Sequence, residues 1–308
     1  MEQSMKEFCF EIEQENEGIR IDRFISDNID FLTRSYLQKM MKDGCVFVNE
    51  KVVKPSYGLK TGDRIRFSVP DSVEPDIQAE NIPLDIIYED TDLLIVNKPK
   101  DMVVHPAPGH YSGTLVNAVM YHCKNNLSGI NGVLRPGIVH RIDKDTTGSL
   151  IICKNDNSHE IIAEQLKEHS IVRKYRAICM GVLKEDEYTI DAPIGRHPVE
   201  RKKMAINEKN GKQAVTHVKV LERLKNATYV ECRLETGRTH QIRVHLSSLG
   251  HPLLGDEVYG DTKNKYKLTG QTLHAYVLGF KHPKTKEYME TIAPIPLYFE
   301  KLLKNLEN

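Results

Sequence analysis

The chain has 308 residues with 43 basic and 43 acidic side chains, so its formal charge is zero, and its length allows about two domains at roughly 100–200 residues each. Apolar residues make up 40% and charged residues 28%; no apolar run approaches the roughly 20 residues a membrane helix needs, and residues 1–6 lack the basic-then-apolar order of a secretory signal. Six cysteines, at 9, 45, 123, 153, 179 and 232, lie singly with no C-x-x-C pair, which argues against a disulfide scaffold and for reduced thiols in a cytoplasmic protein.

The zero net charge hides an uneven distribution. Residues 1–17 carry one base and six acids and read as an acidic N-terminal extension. Residues 18–66 carry ten bases and six acids, residues 67–92 eight acids and no base, and residues 93–308 the remaining 32 bases and 23 acids. Phosphate affinity follows the local field, so two mildly basic bodies permit a nucleic-acid partner that whole-chain charge would discourage. The stretch 68–83, with Pro70 and Pro75 among like charges, reads as a linker between a small domain at 18–67 and a large one at 84–308.

In the small domain Ile21, Phe24, Ile25 and Ile29 recur at helical spacing. A second helix is expected from an N-cap at Thr33 to Met41, with Tyr36, Leu37, Met40 and Met41 on one side, ending at Asp43-Gly44. Val46-Phe47-Val48 and Val52-Val53 flank Asn49-Glu50-Lys51 as a hairpin, and Gly62-Asp63 turns into a strand at Ile65-Arg66-Phe67. The stretch "RSYLQKMMKDGCVFVNEKVVKPSYGLKTGDRI", with Arg20, Arg23, Arg34, Lys39 and Lys42 on or beside the two helices, resembles the S4 RNA-binding module. In such a module helix-borne bases meet phosphates while the sheet fixes the helix angle. The plainer reading is a solvated basic face.

The large domain reads as strands mixed with a few helices. Leu93-Leu94-Ile95-Val96 and Ser149-Leu150-Ile151-Ile152-Cys153 are buried-strand runs. Asn157 and Glu160 look like a capping pair for a helix whose apolar face is Ile161, Ile162 and Leu166. Val230, Cys232 and Leu234 alternate with Glu231 and Arg233 as a half-buried strand, broken by Gly237; a short helix is expected from Thr239 to Leu246. Without regular β-α alternation, the fold class is α+β with a mainly antiparallel sheet.

The run from His140 to Gly148 gathers two carboxylates, two bases and two hydroxyls directly before a buried strand, a placement that suits catalysis but also an ordinary charged turn. An aspartate with a reference pKa of about 4 is a usable nucleophile at neutral pH and, when buried, needs a cation beside it. Spacing does not rank Asp143 above Asp145. A helix in "ETGRTHQIRVH" (235–245) would put Thr239 and Arg243 on one face and make Arg243 such a cation. His105 and His110, and His240 and His245, are five apart, a poor fit to helical zinc pairs at four, so no metal is expected. Neither a phosphate-binding G-x-x-x-x-G-K-[ST] loop nor a G-x-G-x-x-G fingerprint occurs.

"HRIDKDTTG" (140–148) resembles the signature of the RluA family of pseudouridine synthases, and "NKPKDMVVHPAPGH" (97–110), "RKYRA" (173–177), "ETGRTHQIRVHLSSLGHPLLGD" (235–256) and "LHAYVLGFKHP" (273–283) resemble its other blocks, in order. With the S4-like segment the chain is most similar to the large-subunit rRNA synthase D type; Ile142 stands where leucine is usual and Thr147 where serine is frequent. The resemblance implies roles. Asp143 matches the catalytic aspartate, Arg243 the basic residue paired with it, Tyr175 the tyrosine that stacks on the target base, and Arg141 an arginine associated with displacing the target nucleotide. His140, Thr146, Arg238 and His240 lie in the same blocks and are expected to contact substrate. It also implies a cofactor-free isomerase acting on RNA, with 23S-type rRNA or the pre-ribosomal large subunit favoured over tRNA; a monomer is the default expectation, since oligomeric state is not legible in the sequence. Two other readings stay in view: a non-catalytic S4-type protein of ribosome assembly, and a glycosidase pairing Asp143 with Asp145 or Glu235.

Overall fold

The computed structural model describes residues 5–29, 32, 34–70, 77–106, 111–124, 126–132, 135–200, 203–260 and 266–307. It divides into two compact units, Met1–Glu74 and Pro75–Asn308.

The first unit contains strand β1 (Met5–Glu11), helices α1 (Ile21–Asn28) and α2 (Arg34–Lys42), and strands β2 (Val46–Val48), β3 (Lys51–Val52) and β4 (Arg64–Pro70). The strands form one antiparallel sheet in the order β1-β4-β2-β3. The segment read as an N-terminal extension contains β1, which pairs with β4 from Met5↔Pro70 to Glu11↔Arg64. Its acids mask a period of two: Phe8, Phe10 and Ile12 turn inward, Phe8 stacking on Phe67 at 5.3 Å and Phe10 meeting Phe24 edge-on at 5.7 Å. Asn49 and Glu50, both at positive φ, make the tight turn between β2 and β3, so Lys51 belongs to the strand rather than the turn. Leu37, Met40 and Met41 are buried as expected, whereas Tyr36 is exposed. The expected cap Thr33 lies outside the described residues.

One buried acid organises this unit's bases. Asp22, fully buried on α1, accepts from Arg20 Nε and Nη2 at 3.0 and 2.9 Å, from Gln38 at 2.9 Å and from Arg34 at 3.3 Å. The hydrogen bond from Arg20, with those from Gln38 and Arg34 and against the cost of burial, holds the Asp22 carboxyl well below the usual carboxylate range. Two of the five bases expected to meet RNA are thus tethered at their inner end while remaining half exposed. Arg23 pairs loosely with Asp27 at 3.5 Å, and Lys39 and Lys42 are exposed.

The second unit contains β5 (Ile86–Glu89), β6 (Leu93–Lys98), α3 (Leu115–Cys123), β7 (Thr147–Cys153), α4 (Asp156–Lys167), β8 (Val172–Met180), β9 (Glu187–Asp191), β10 (Ile194–Arg196), β11 (Met204–Ile206), β12 (Val215–Arg223), β13 (Ala227–Leu234), α5 (Gln241–Ser248), β14 (Leu273–Lys281), β15 (Tyr288–Ile292) and α6 (Leu297–Glu307). Strands β10 and β11 form a separate hairpin. The others make a nine-stranded sheet in the order β5-β6-β7-β14-β8-β13-β12-β9, with β15 on the far end of β14. Only β7 and β14 pair in parallel; the sheet is mixed and mainly antiparallel, as the absence of β-α alternation implied. One core joins the sheet to α3 and α5, a second lies under α4, and α6 covers a third. Every residue of β7 is buried, which is why it reads as a continuous apolar run.

Two local expectations change. The cap of α4 is Asn155, whose side chain accepts from Ser158 N, and Asn157 lies inside the helix. Residues 77–83, assigned to the linker, pack on the large unit: Ile77 is in its main core, and Glu80 N donates to Asn117 O at 2.9 Å. Among the described residues no helix is long and apolar enough to cross a membrane.

Replacing Asp22 by Asn is expected to destabilise the first unit by about 2–3 kcal/mol at neutral pH, because two guanidinium groups lose their charged acceptor. A depressed carboxyl pKa contributes stability above the unfolded value near 4 and loses it as pH falls through the folded one, so the variant should also show a shallower acid loss below about pH 4. Hydrogen exchange over residues 20–42 as a function of pH measures both effects.

Candidate active site

A cavity of about 530 Å³ opens in the second unit between the turn before β7, strand β8 and the N-terminus of α5. Among the described residues, Asp143 is the only carboxylate that lines it. Asp145, its rival in sequence, does not line the cavity, and Glu235 is exposed and pairs with His217 at 2.6 Å.

The turn carrying Asp143 is braced from beneath. Thr146 N donates to Asp143 O at 3.0 Å, closing the turn. Lys98, fully buried at the end of β6, donates from Nζ to the carbonyls of Pro99, Met102 and Lys144 at 2.7, 2.9 and 2.9 Å. Burial pushes Lys98 down to about 7 against the pull of Asp145, Asp143 and Asp101. Thr146, expected to touch substrate, lines the cavity but is itself buried, its hydroxyl accepting from Gln271 Nε2 at 3.0 Å. Gly148, at φ +109°, lies where a Cβ would collide with the backbone of Ala275, its parallel partner on β14; only glycine lets β7 start so close to β14.

Arg243 holds Asp143 from the opposite wall. Its Nη1 donates to Asp143 Oδ2 at 2.9 Å, while Nε and Nη2 form a bidentate pair with Asp256 at 2.7 and 2.9 Å. Burial alone would lower the Arg243 pKa, but the hydrogen bond and charge of Asp256, followed by Asp143, raise it above its ordinary value. The guanidinium also lies over the Tyr259 ring, 5.1 Å from its centroid. The expected pairing of Thr239 with Arg243 on a helix face does not occur, because α5 begins at Gln241. His240 instead occupies the N-cap in a left-handed conformation at φ 59°, which turns its ring so that Nε2 is 3.8 Å from Asp143 Oδ1 and Nδ1 is 2.8 Å from Tyr259 Oη. Tyr259 Oη accepts from Met204 N at 2.8 Å, leaving its proton for His240 Nδ1. Burial pushes the His240 pKa down against the pull of Asp143.

The remaining expected residues line the same cavity with different freedom. Tyr175 on β8 is 8% exposed, and burial raises its phenol pKa, so it is a neutral ring at physiological pH. Arg141 is exposed, with Nη1 3.2 Å from His105 Nε2; burial, with Arg141, pushes His105 down to about 4. His140 has its Nε2 occupied by Ile151 N at 2.9 Å, and burial pushes it down to about 3, so it serves the strand as an uncharged acceptor. Arg238 is half-buried and gives Nε to Gln213 O at 3.0 Å. Of the histidines weighed as metal ligands, His245 is spent on Thr216 and the Ala192 carbonyl, and His110 lies outside the described residues.

Sequence reasoning missed Asp256, Tyr259, Gln271 and Arg173, of which Arg173 lines the cavity. Asp256 and Tyr259 sit in a short loop segment, "GDEVYG", which has no periodicity to flag it.

Comparison with known proteins agrees with this geometry. Residues 92–248 match the model of the RNA pseudouridylate synthase family, and residues 19–65 match the S4 domain. The chain is 52% identical over 293 residues to an uncharacterized RNA pseudouridine synthase of Bacillus subtilis, covering 95% of this chain and 96% of that one. It is 46% identical to the ribosomal large subunit pseudouridine synthase D of Zymomonas mobilis, with 94% of each covered. Among solved structures it resembles human RNA pseudouridylate synthase domain containing 1, with a TM-score of 0.56 and 27% identity over 74% of this chain and 96% of that one. The chain therefore belongs to the RNA pseudouridylate synthase family, enzymes that isomerise uridine in RNA, and carries an S4 domain ahead of its catalytic unit.

Proposed function

We propose that this protein converts specific uridines to pseudouridine in structured large-subunit rRNA, with Asp143 as the nucleophile and without a cofactor. The observation that carries this reading is a cavity with a single carboxylate among the described residues, held by Arg243 at 2.9 Å and sharing its walls with a buried tyrosine. A glycosidase acting through an acid–base pair needs two carboxylates across one site, and Asp145 and Glu235 both lie off the cavity wall. The rRNA substrate rests on the S4 domain and on relatives named for the ribosomal large subunit.

The chemistry asks little of the protein beyond position. The C1′–N1 bond breaks, the uracil turns, and C5 bonds to C1′; the C5 proton is lost and N1 ends protonated, so the product has the composition of the substrate. No group is donated and nothing is oxidised, so no cofactor is called for. Asp143 either attacks C1′ or assists elimination to a glycal. Both routes develop charge beside the ribose, where a fixed carboxylate and its counter-ion act with little reorganisation. Tyr175 supplies a flat apolar face on which the detached base can turn. A uridine inside a fold must first leave its stack, at a cost of a few kcal/mol, and exposed Arg141 at the cavity mouth is placed to fill the vacated space.

Asp143→Asn is expected to abolish pseudouridine formation in unmodified 23S-type rRNA, read by chemical derivatisation, while RNA affinity falls only a few-fold; near-normal conversion would remove Asp143 as nucleophile. Pseudouridines appearing in tRNA and not in rRNA would move the substrate, and release of free uracil would restore the glycosidase. Asp256→Asn should slow conversion by about 100-fold through misplacement of Arg243, again with little change in binding, and single-turnover rates at saturating enzyme check this. Deleting residues 1–74 should weaken rRNA binding and reduce the slope of log K against log salt by roughly 3.5–4.5 if the five S4-domain bases each meet a phosphate. An unchanged slope would show that those bases are only a solvated face.

A further inference from the structure

The carboxylate of Asp143 accounts for one side of the cavity; the cations around it exceed what that carboxylate needs. Arg243 is neutralised twice, by Asp143 and Asp256. Arg173 and Arg238 also line the cavity, and among the described residues neither has an ion-pair partner. Arg173 is 7% exposed. It donates from Nη2 to the Glu235 carbonyl at 3.0 Å, and its buried Nε has no acceptor. An arginine desolvated to this degree without a counter-ion is costly to keep, and burial lowers its pKa, with Arg238 adding to the effect.

The backbone makes room for this side chain. A Cβ at Gly237 would sit 2.5 Å from Arg173 Nη1, 3.6 Å from Cζ and 4.0 Å from Nη2, so the guanidinium meets the glycine, in the loop after β13, with its Nη1 end. The next residue is Arg238, which gives Nε to Gln213 O and has no protein acceptor for its terminal nitrogens among the described residues. Exposed Lys167, the last residue of α4, and His169 just after it also line the cavity. Arg173 and Tyr175 are alternate residues of β8, so their side chains leave the same face about 6.6 Å apart along the strand. Asp143, Tyr175, Arg173 and Arg238 thus line one cavity, with the ring and the buried guanidinium on the same face of β8.

We propose that Arg173 and Arg238 form a phosphate subsite that takes the non-bridging oxygens of a phosphodiester flanking the target uridine. The planar fork of Arg173 is pre-organised by Gly237 and the Glu235 carbonyl, and RNA supplies the missing anion. The subsite rests on the uridine-isomerase reading for the identity of the nucleotide but not for the presence of an anion.

The test is phosphate-ethylation interference on large-subunit rRNA transcribed without modification, comparing wild type with Arg173→Lys, Arg173→Met and Arg238→Met. Ethylation of one phosphate beside the converted uridine should block binding by wild type and Arg173→Lys, and this interference should vanish in Arg173→Met. That variant should bind roughly tenfold more weakly, and its salt slope should fall by about 0.7–0.9. Interference that persists unchanged in both Met variants overturns the proposal. Thermal unfolding identifies an Arg173→Met that fails to fold, in which case Arg238→Met, at a half-buried position, decides alone. Because the readout is binding, it is scored even if no uridine is converted. A phosphate lost between wild type and the Met variants then supports the subsite while the isomerase reading fails by itself.

Discussion

Arg243 is the constraint on which the site depends. One guanidinium is shared by two carboxylates that come from opposite directions in the chain, Asp143 from the turn before β7 and Asp256 from the loop after α5. The bidentate bond to Asp256 fixes the plane of the fork, and that plane decides where Nη1 meets Asp143. Burying three charges is expensive in desolvation, and a well-packed apolar trio would be the more stable choice. What the charged trio supplies is a carboxylate of fixed position and fixed counter-charge that still has 20% of its side chain open to the cavity. Asp256, fully buried, takes the structural part, so Asp143 remains available for chemistry.

The rest of the catalytic unit holds the two ends of that bridge still. Lys98 ties three carbonyls beneath the Asp143 turn, Gln271 ties Thr146, and Gly148 lets β7 and β14 approach closely enough for the turn to rest on both. On the other side the left-handed His240 links Asp143 to Tyr259, whose ring also supports Arg243. These contacts give the site a pre-organised position.

What could be read from the sequence follows the range of each interaction. Strands β6, β7 and β13 were legible because burial acts on consecutive or alternate residues, as in Leu93 to Val96 and in Val230, Cys232 and Leu234. Composition alone left Asp143 and Asp145 equal; the ordered blocks favoured Asp143, and cavity geometry separates the two, because one turn points adjacent acids in different directions. Asp256 and Arg173 fell at the ends of two of the quoted blocks, but nothing in their neighbours pointed to a role. Asp256 matters only through an arginine in the preceding helix, and Arg173 looks like an ordinary polar residue in an alternating strand until Gly237 is folded against it. The N-terminal strand was misread for the opposite reason: its many acids obscured the period-two order of Phe8, Phe10 and Ile12.

The same distinction resolves how a chain of zero net charge suits a polyanionic partner. Several of its acids are engaged internally. Asp22 gathers Arg20 and Arg34, Asp256 takes Arg243, Glu89 takes Lys154, and Glu231 takes Arg176. A buried acid that orients a base does not cancel the base's reach when the outer end stays half exposed, as with Arg20 and Arg34. In the cavity the balance goes further, since among the described residues Asp143 is the only acid on a wall that also carries Arg141, Lys167, Arg173, Arg238 and Arg243. The field an RNA strand meets there is set by unpaired guanidiniums a few ångströms away, and at that range the acids elsewhere in the chain are screened to little effect.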